Sequence, residues 1–236
     1  MCRLAAFPPN CSKEDALKIL LGFASGNPDG AGSVYVKDGH FKVNKWPISL
    51  RQVLSEKLPL LDHMPYPGWT MVHLRAASHG DNIPQNTHPF IKGNWAFCHN
   101  GIWRDYSIVK AAFSRLYRFE GQTDSEVAAQ MFAAAGPRKF IRSVKDGGVY
   151  LALHRSGKLY AVCTEGGDMS YTETPNGIIV ASTFPEYTSQ VTIDSGWLKL
   201  NPEGTLVKKR IHKSAFLLRS DYWRDYKDDK SLLADI

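Results

Sequence analysis

Met1-Cys2-Arg3-Leu4-Ala5-Ala6-Phe7-Pro8-Pro9 opens the chain with a cysteine directly behind the initiator methionine, at the head of an apolar run that two prolines stop. Cys2 to Phe7 reads as a short buried strand. Removal of Met1 would place a thiol and a free α-amine on one residue. An α-amine titrates near about 7.7–8.0 and a thiol near about 8.5, so at neutral pH roughly a tenth of the amine is unprotonated and able to accept a proton. Such a nucleophile attacks amide carbonyls through a covalent acyl intermediate. A lipid-anchored cysteine is not expected, since no apolar leader precedes Cys2.

Outward from this strand, Ser12 is placed to cap a helix over Lys13 to Ala24. The turn Asn27-Pro28-Asp29-Gly30 leads into a strand over Gly32 to Lys37, which Asp38-Gly39 joins to His40–Trp46 as a hairpin. A short helix over Leu50 to Leu58 and a strand over Trp69 to Arg75 follow. From Ala76 to Asn94 the chain reads as a loop long enough to suggest function. Trp95 to His99 is a strand with a turn at Asn100-Gly101, and helices cover Tyr106 to Tyr117 and Asp124 to Ala135. Gly148 to His154, Lys158 to Thr164, Gly177 to Thr183 and Gln190 to Asn201 read as strands. Grouped strands with helices between them predict layered α/β or α+β architecture rather than regular βαβ alternation.

The 236 residues, 43% hydrophobic and 22% charged, describe a globular chain able to bury a core, which excludes disorder, collagen and coiled coil. No apolar run approaches the roughly 20 residues of a membrane helix, and Pro and charges interrupt the first twenty where a signal peptide needs an apolar stretch, so a cytoplasmic location without membrane partners is expected. A net charge of +6 is too small to imply nucleic acid. The basic cluster Lys208, Lys209, Arg210 and Lys213 reads as a solvated strand edge. Cys2, Cys11, Cys98 and Cys163 show no C-x-x-C pair and are expected as free thiols.

Acyl transfer needs donors aimed at the developing oxyanion, and His99-Asn100-Gly101 offers a side-chain amide and an open backbone N–H. Asn-Gly here is equally a two-residue hairpin signal. In His73-Leu74-Arg75-Ala76-Ala77-Ser78-His79-Gly80 a strand delivers Arg75 to its end, where the guanidinium fork suits a carboxylate or a surface ion pair. Thr123-Asp124-Ser125-Glu126 fits a capping box, with Thr123 capping and Glu126 reaching back; an Asp held there could also bind a substrate ammonium. His73, His79, His88 and His99 lack zinc-site spacing, so no metal is expected. Cys98 and His99, adjacent on a strand, point to opposite faces and cannot form a dyad together.

In order, M-C-R-L, R-A-A-S-H-G, N-T-H-P-F, H-N-G and T-D-S-E, with D-G-A-G at Asp29 to Gly32, resemble the glutaminase domain of class II glutamine amidotransferases of the stand-alone type, an N-terminal-nucleophile hydrolase family. The motifs cover residues 2 to 126; after about Gly136 only the strand pattern supports the likeness. The resemblance implies an α+β fold, a four-layer αββα sandwich with Cys2 at the end of a central strand. It implies a glutaminase domain over residues 2–218; the tail over 219–236 is read as polar from its composition and carries none of the likeness. Carried over by motif, Cys2 is the nucleophile and its amine the base, Asn100 and Gly101 form the oxyanion hole, Arg75 with Ser78 and His79 binds the α-carboxylate, and Asp124 binds the α-ammonium. Ala76 departs from the Trp common where a synthase domain is fused, which leaves a gating or ammonia-channel role for this loop without support.

The implied reaction is hydrolysis of the glutamine γ-amide through a cysteinyl acyl-enzyme, with no cofactor. The ammonia would go to an unidentified acceptor, for which a separate synthase subunit is one possible partner. The alternatives are a stand-alone hydrolase of another γ-glutamyl amide or peptide, and a non-catalytic glutamine-binding module. Pure binding needs neither Cys2 nor the oxyanion donors.

Overall fold

The computed structural model describes residues 1–22, 24–104, 106–144, 148–184 and 190–212. The elements run β1 (Arg3–Phe7), α1 (Lys13–Leu21), β2 (Gly30–Lys37), β3 (His40–Trp46), α2 (Leu50–Ser55), β4 (Thr70–Arg75), β5 (Phe90–Lys92), β6 (Trp95–Asn100), α3 (Tyr106–Phe113), α4 (Asp124–Ser143), β7 (Val149–His154), β8 (Leu159–Cys163), β9 (Met169–Thr174), β10 (Gly177–Ala181), β11 (Val191–Ile193), β12 (Ser195–Leu200) and β13 (Leu206–His212). They form two antiparallel sheets, one of seven strands in the order β11-β9-β10-β1-β4-β2-β3 and one of six in the order β13-β12-β8-β7-β6-β5.

Alternation along the strands builds the layers. In β1, Leu4 and Ala6 enter a core between the sheets, while Ala5 and Phe7 enter a second core beneath α1 and α2. In β6, Ala96 and Cys98 face the inter-sheet core and Phe97 faces a third, where Phe132 of α4 packs on Phe97 and Phe140 of α4 packs on Tyr150 of β7. Each of these fully buried rings stabilises the layer by about 1.5–3 kcal/mol. The result is the expected αββα sandwich, with β1 in the middle of its sheet between β4 and β10.

Several elements differ from the sequence reading. Ser12 caps α1 by accepting the Asp15 N–H, but the helix ends at Leu21, and residues 24–26 form a separate turn of 3-10 helix. α4 breaks at Gly136, whose φ of 74° no helix residue adopts, so the expected helix to Ala135 is its first segment. The expected loop over Ala76 to Asn94 contains a 3-10 turn at Pro84–Asn86 and the short strand β5. The single strand expected over Gln190 to Asn201 is two strands in different sheets, divided at Asp194. β13 lies at a sheet edge, as the basic cluster suggested for Lys208, Lys209 and Arg210. Lys213 and the tail over 219–236 lie outside the described residues. All four cysteines are unpaired, and no helix among the described residues is long and apolar enough to cross a membrane.

Candidate active site

The register carries Cys2 to one open end of the inter-sheet layer. β1 pairs β4 with Arg3 opposite Leu74, so one step further Cys2 stands opposite Arg75. By the same parity Cys2 follows Leu4 and Ala6, Arg75 follows Met71 and His73, and Asn100 follows Ala96 and Cys98, so all three belong to the strand faces that meet between the sheets. A cleft at this end is lined by Cys2, Arg75, Ala76, Ala77, Ser78, His79, His88, His99, Gly101, Thr123, Asp124 and Ser125.

Cys2 is half-buried. Its Sγ lies 3.4 Å from the Ala76 N–H donor and 3.3 Å from the Ala76 carbonyl oxygen. Burial pushes the thiol up from its ordinary value; the Ala76 N–H, the terminal ammonium and the Arg75 guanidinium pull the other way, and Asp124 adds to the rise. Cys11 is pushed up to about 11 and Cys163 to about 12, chiefly by burial, and complete burial raises Cys98 further still. Met1 is exposed, and its carbonyl accepts a bond from Asn27 Nδ2 at 2.8 Å.

Arg75 is bound by the loop that follows it. Nη1 donates to Asp81 O and Asn82 Oδ1 at 3.1 and 2.8 Å, and Nη2 to His79 O and Gly80 O at 2.8 and 3.0 Å. Burial lowers its pKa from the ordinary value, opposed by Cys2, Asp29 and Asp81. Ser78 and His79 are exposed at the rim, with Ser78 Oγ 3.3 Å from His79 Nδ1. Asp29 anchors the loop by accepting the Ala77 N–H at 2.7 Å and the Asn82 amide at 3.1 Å.

Gly101 lines the cleft, and Asn100 is buried immediately behind it. The hairpin reading of Asn-Gly fails, because β6 ends at Asn100 and the chain leads into α3 rather than a partner strand. The Asn100 carboxamide is only loosely engaged: Nδ2 lies 3.5 Å from Ser182 Oγ and Oδ1 has no partner.

The capping box does not form. Thr123 has the extended backbone of an N-cap, but its hydroxyl is buried without a partner. Glu126 instead accepts the Glu120 and Gly121 N–H groups and binds Lys92 at 2.8 Å in a mostly buried ion pair, which holds its pKa below the carboxylate's ordinary value despite burial. Asp124 lines the cleft, with Oδ1 accepting from the Ser125 N–H at 2.8 Å and Oδ2 from the Trp103 N–H at 2.7 Å.

Three histidines back the cleft. His73 stacks on His88 with centroids 3.8 Å apart, and His99 stacks on Tyr150 at 4.6 Å. His99 reaches α4 through its Nδ1, 3.0 Å from Ser125 Oγ, so it and Cys98 face opposite ways as expected. The sequence reading gave no role to His88, Ser125, Asp29 or Ser182. His88 lies in the quoted N-T-H-P-F motif, Ser125 in T-D-S-E and Asp29 in D-G-A-G, whereas Ser182 lies in none of the quoted motifs.

A two-sheet sandwich flanked by helices, with a cysteine at the head of a central strand and its thiol in a cleft at the open end, is an N-terminal-nucleophile hydrolase fold. Residues 61–158 match the family described as class II glutamine amidotransferases. It is 36% identical over 92 residues to a glutamine–fructose-6-phosphate aminotransferase (isomerizing) of Wigglesworthia glossinidia brevipalpis, an alignment covering 38% of this chain and 14% of that protein. With the enzyme of the same name from Chlorobaculum tepidum it shares 32% identity over 114 residues, covering 47% of this chain and 18% of that protein. The chain thus spans less than a fifth of the length of these two relatives.

Among solved structures, a glutamine phosphoribosylpyrophosphate amidotransferase from B. subtilis superposes with a TM-score of 0.71 at 17% identity, covering 92% of this chain and 50% of that one. A glutamine aminotransferase class-II domain protein from Silicibacter pomeroyi gives 0.61 at 18% identity, covering 90% of this chain and 100% of that one. At these identities the superpositions carry the fold.

Proposed function

We propose that this chain hydrolyses the γ-amide of glutamine through an acyl-enzyme on Cys2 and releases ammonia for an acceptor held elsewhere. The observation that carries this reading is the convergence of Cys2, Arg75 and Asn100, from three strands of two sheets, at one end of the inter-sheet layer, with Asp124 on the cleft wall.

Once Met1 is removed, the Cys2 amine takes the thiol proton as Sγ attacks the γ-carbonyl carbon. The negative charge that develops on the carbonyl oxygen is stabilised by the Gly101 N–H and the Asn100 amide. Collapse of the tetrahedral intermediate breaks the C–N bond, the ammonium formed at the α-amine returns its proton to the leaving ammonia, and water then hydrolyses the thioester. Arg75, with Ser78 and His79 at the rim, takes the α-carboxylate, and Asp124 takes the α-ammonium. For Arg75 this requires exchange of loop carbonyls for the substrate carboxylate. The glutaminase domain is assigned to residues 2–218, and a synthase subunit is the corresponding acceptor. Ala76, a small residue beside Sγ, also admits γ-glutamyl amides with bulkier leaving groups.

Intact mass, ammonia release from glutamine and labelling by 6-diazo-5-oxo-norleucine test the proposal together. The expected results are a mass lacking one methionine, a single adduct on Cys2, and loss of hydrolysis in Cys2→Ala with the fold retained. An adduct on Cys98, or turnover in Cys2→Ala, would overturn it. A clear preference for a bulkier γ-glutamyl amide over glutamine would replace ammonia supply with stand-alone hydrolysis.

A further inference from the structure

Ser182 lies one step beyond β10, where the pairing of Ala5 with Ala181 puts it opposite Leu4. It is 2% exposed and shares the inter-sheet face of Ile178 and Val180. Its backbone N–H donates to Leu4 O at 2.9 Å, and its Oγ accepts the Leu4 N–H at 3.0 Å. The same Oγ lies 3.5 Å from the Asn100 carboxamide, which belongs to the opposite sheet. One hydroxyl therefore touches both the strand that carries Cys2 and the residue read as an oxyanion donor.

The proton inventory gives this contact a direction. Ser182 Oγ carries one hydrogen, and its alternative acceptor, Leu4 O at 3.3 Å, already receives the Ser182 N–H. Asn100 Oδ1 is buried with no partner, while the other end of the carboxamide faces the Ser182 hydroxyl. The two ends of a carboxamide have the same shape, so their assignment follows from the hydrogen bonds available. Turning the amide over lets Oδ1 accept the Ser182 hydroxyl and frees the NH2 as the group without a protein partner, the state an oxyanion donor requires before substrate arrives.

We propose that Ser182 is a positioning residue for amide hydrolysis: its hydroxyl fixes the orientation of the Asn100 carboxamide and ties it to the strand of the nucleophile. This rests on the reading of Asn100 as an oxyanion donor. Ser182→Ala and the nearly isosteric Ser182→Cys, whose thiol is a poor donor, are compared with wild type in glutamine hydrolysis, each rate divided by sites titrated with 6-diazo-5-oxo-norleucine so that misfolded protein is not counted. The expected result is a kcat lower by roughly 10- to 100-fold, with KM within about threefold. In an Asn100→Ala background the same changes should have no further effect, because the amide they orient is gone. Wild-type kcat per titrated site in either variant, or an equal fold-loss in both backgrounds, would overturn the positioning role. Asn100→Ala serves as the separate control: wild-type kcat there would remove the oxyanion reading itself, whereas a loss there with none in the Ser182 variants would remove only this inference.

Discussion

The two walls of the cleft are built by different means. One is the exposed loop after β4, residues 77–82, held by polar side chains: Arg75 on its carbonyls, Asp29 on Ala77 and Asn82, and Gln122 on the Asp81 N–H at 2.9 Å. The other is Thr123, Asp124 and Ser125, each no more than 6% exposed, where Asp124 takes up backbone N–H groups of Trp103 and Ser125. In the first wall, the bonds that Asp29 and Gln122 make to exposed loop residues can be exchanged for water at little cost, and those of Arg75, itself only 2% exposed, can be exchanged for a ligand that brings equivalent acceptors. Bonds in the second have no such substitute. The arginine wall is therefore suited to rearrangement on carboxylate binding, and the Asp124 wall to holding a fixed position.

Asp124→Ala gives the largest expected effect. It leaves the Ser125 N–H at the start of α4 and the buried Trp103 N–H between β6 and α3 without their acceptor, at about 1–3 kcal/mol each, so urea denaturation should show a loss of about 2–6 kcal/mol. Asp124→Asn keeps one acceptor oxygen and should lose less stability, while binding of the α-ammonium weakens in both. An unchanged urea midpoint in Asp124→Ala would mean that this wall is no more fixed than the loop.

The buried side also sets a pH dependence. Burial holds His73 down to about 3 in the folded state and depresses His88 well below its ordinary value, against an unfolded value near 6.5. The unfolded chain thus binds protons below pH 6.5 that the folded chain refuses. Stability should be full above that pH and fall toward pH 3, by about 1.4 kcal/mol per pH unit for each such histidine. Urea unfolding at pH 7.5, 6.5, 5.5 and 4.5 measures this. A flat profile between 6.5 and 4.5 would show that these rings are already protonated in the fold, and hence that the floor of the cleft is wetter than its stacked histidines indicate.

The same contrast explains what the sequence made legible. His40–Trp46 has its expected bounds because turn chemistry and strand pattern coincide there, and Cys2, Arg75 and Asp124, which the structure brings to one cleft, were legible as candidates because each sits at an element end marked by local chemistry. The division of residues 190–201 between sheets was not legible: alternation reports which face of a strand is apolar, not which sheet it joins. The capping box misled because Lys92, 34 residues away in sequence, claims Glu126. Ser182 was invisible for the same reason, standing 178 residues from Leu4 and meeting it only through the fold.

Asp29→Ala gives the smallest stability effect and the sharpest test of the difference between the walls. The carboxylate accepts one bond from each end of the loop, from the Ala77 N–H and the Asn82 amide, and Asn82 in turn accepts from Arg75. Both donors belong to exposed residues that water can reach, so their release should cost no more than about 1 kcal/mol in urea unfolding. Loop order is another matter, because Arg75 loses the partner that orients Asn82 and must compete with a looser set of carbonyls. The expected outcome is a KM for glutamine raised several-fold with kcat per titrated site nearly unchanged, and faster amide hydrogen exchange confined to residues 76–82. A fall in kcat without a change in KM would instead place Asp29 on the path to the transition state. A stability loss as large as that of Asp124→Ala would show that the loop is as firmly built as the wall it faces, and the division between a yielding and a fixed side would not hold.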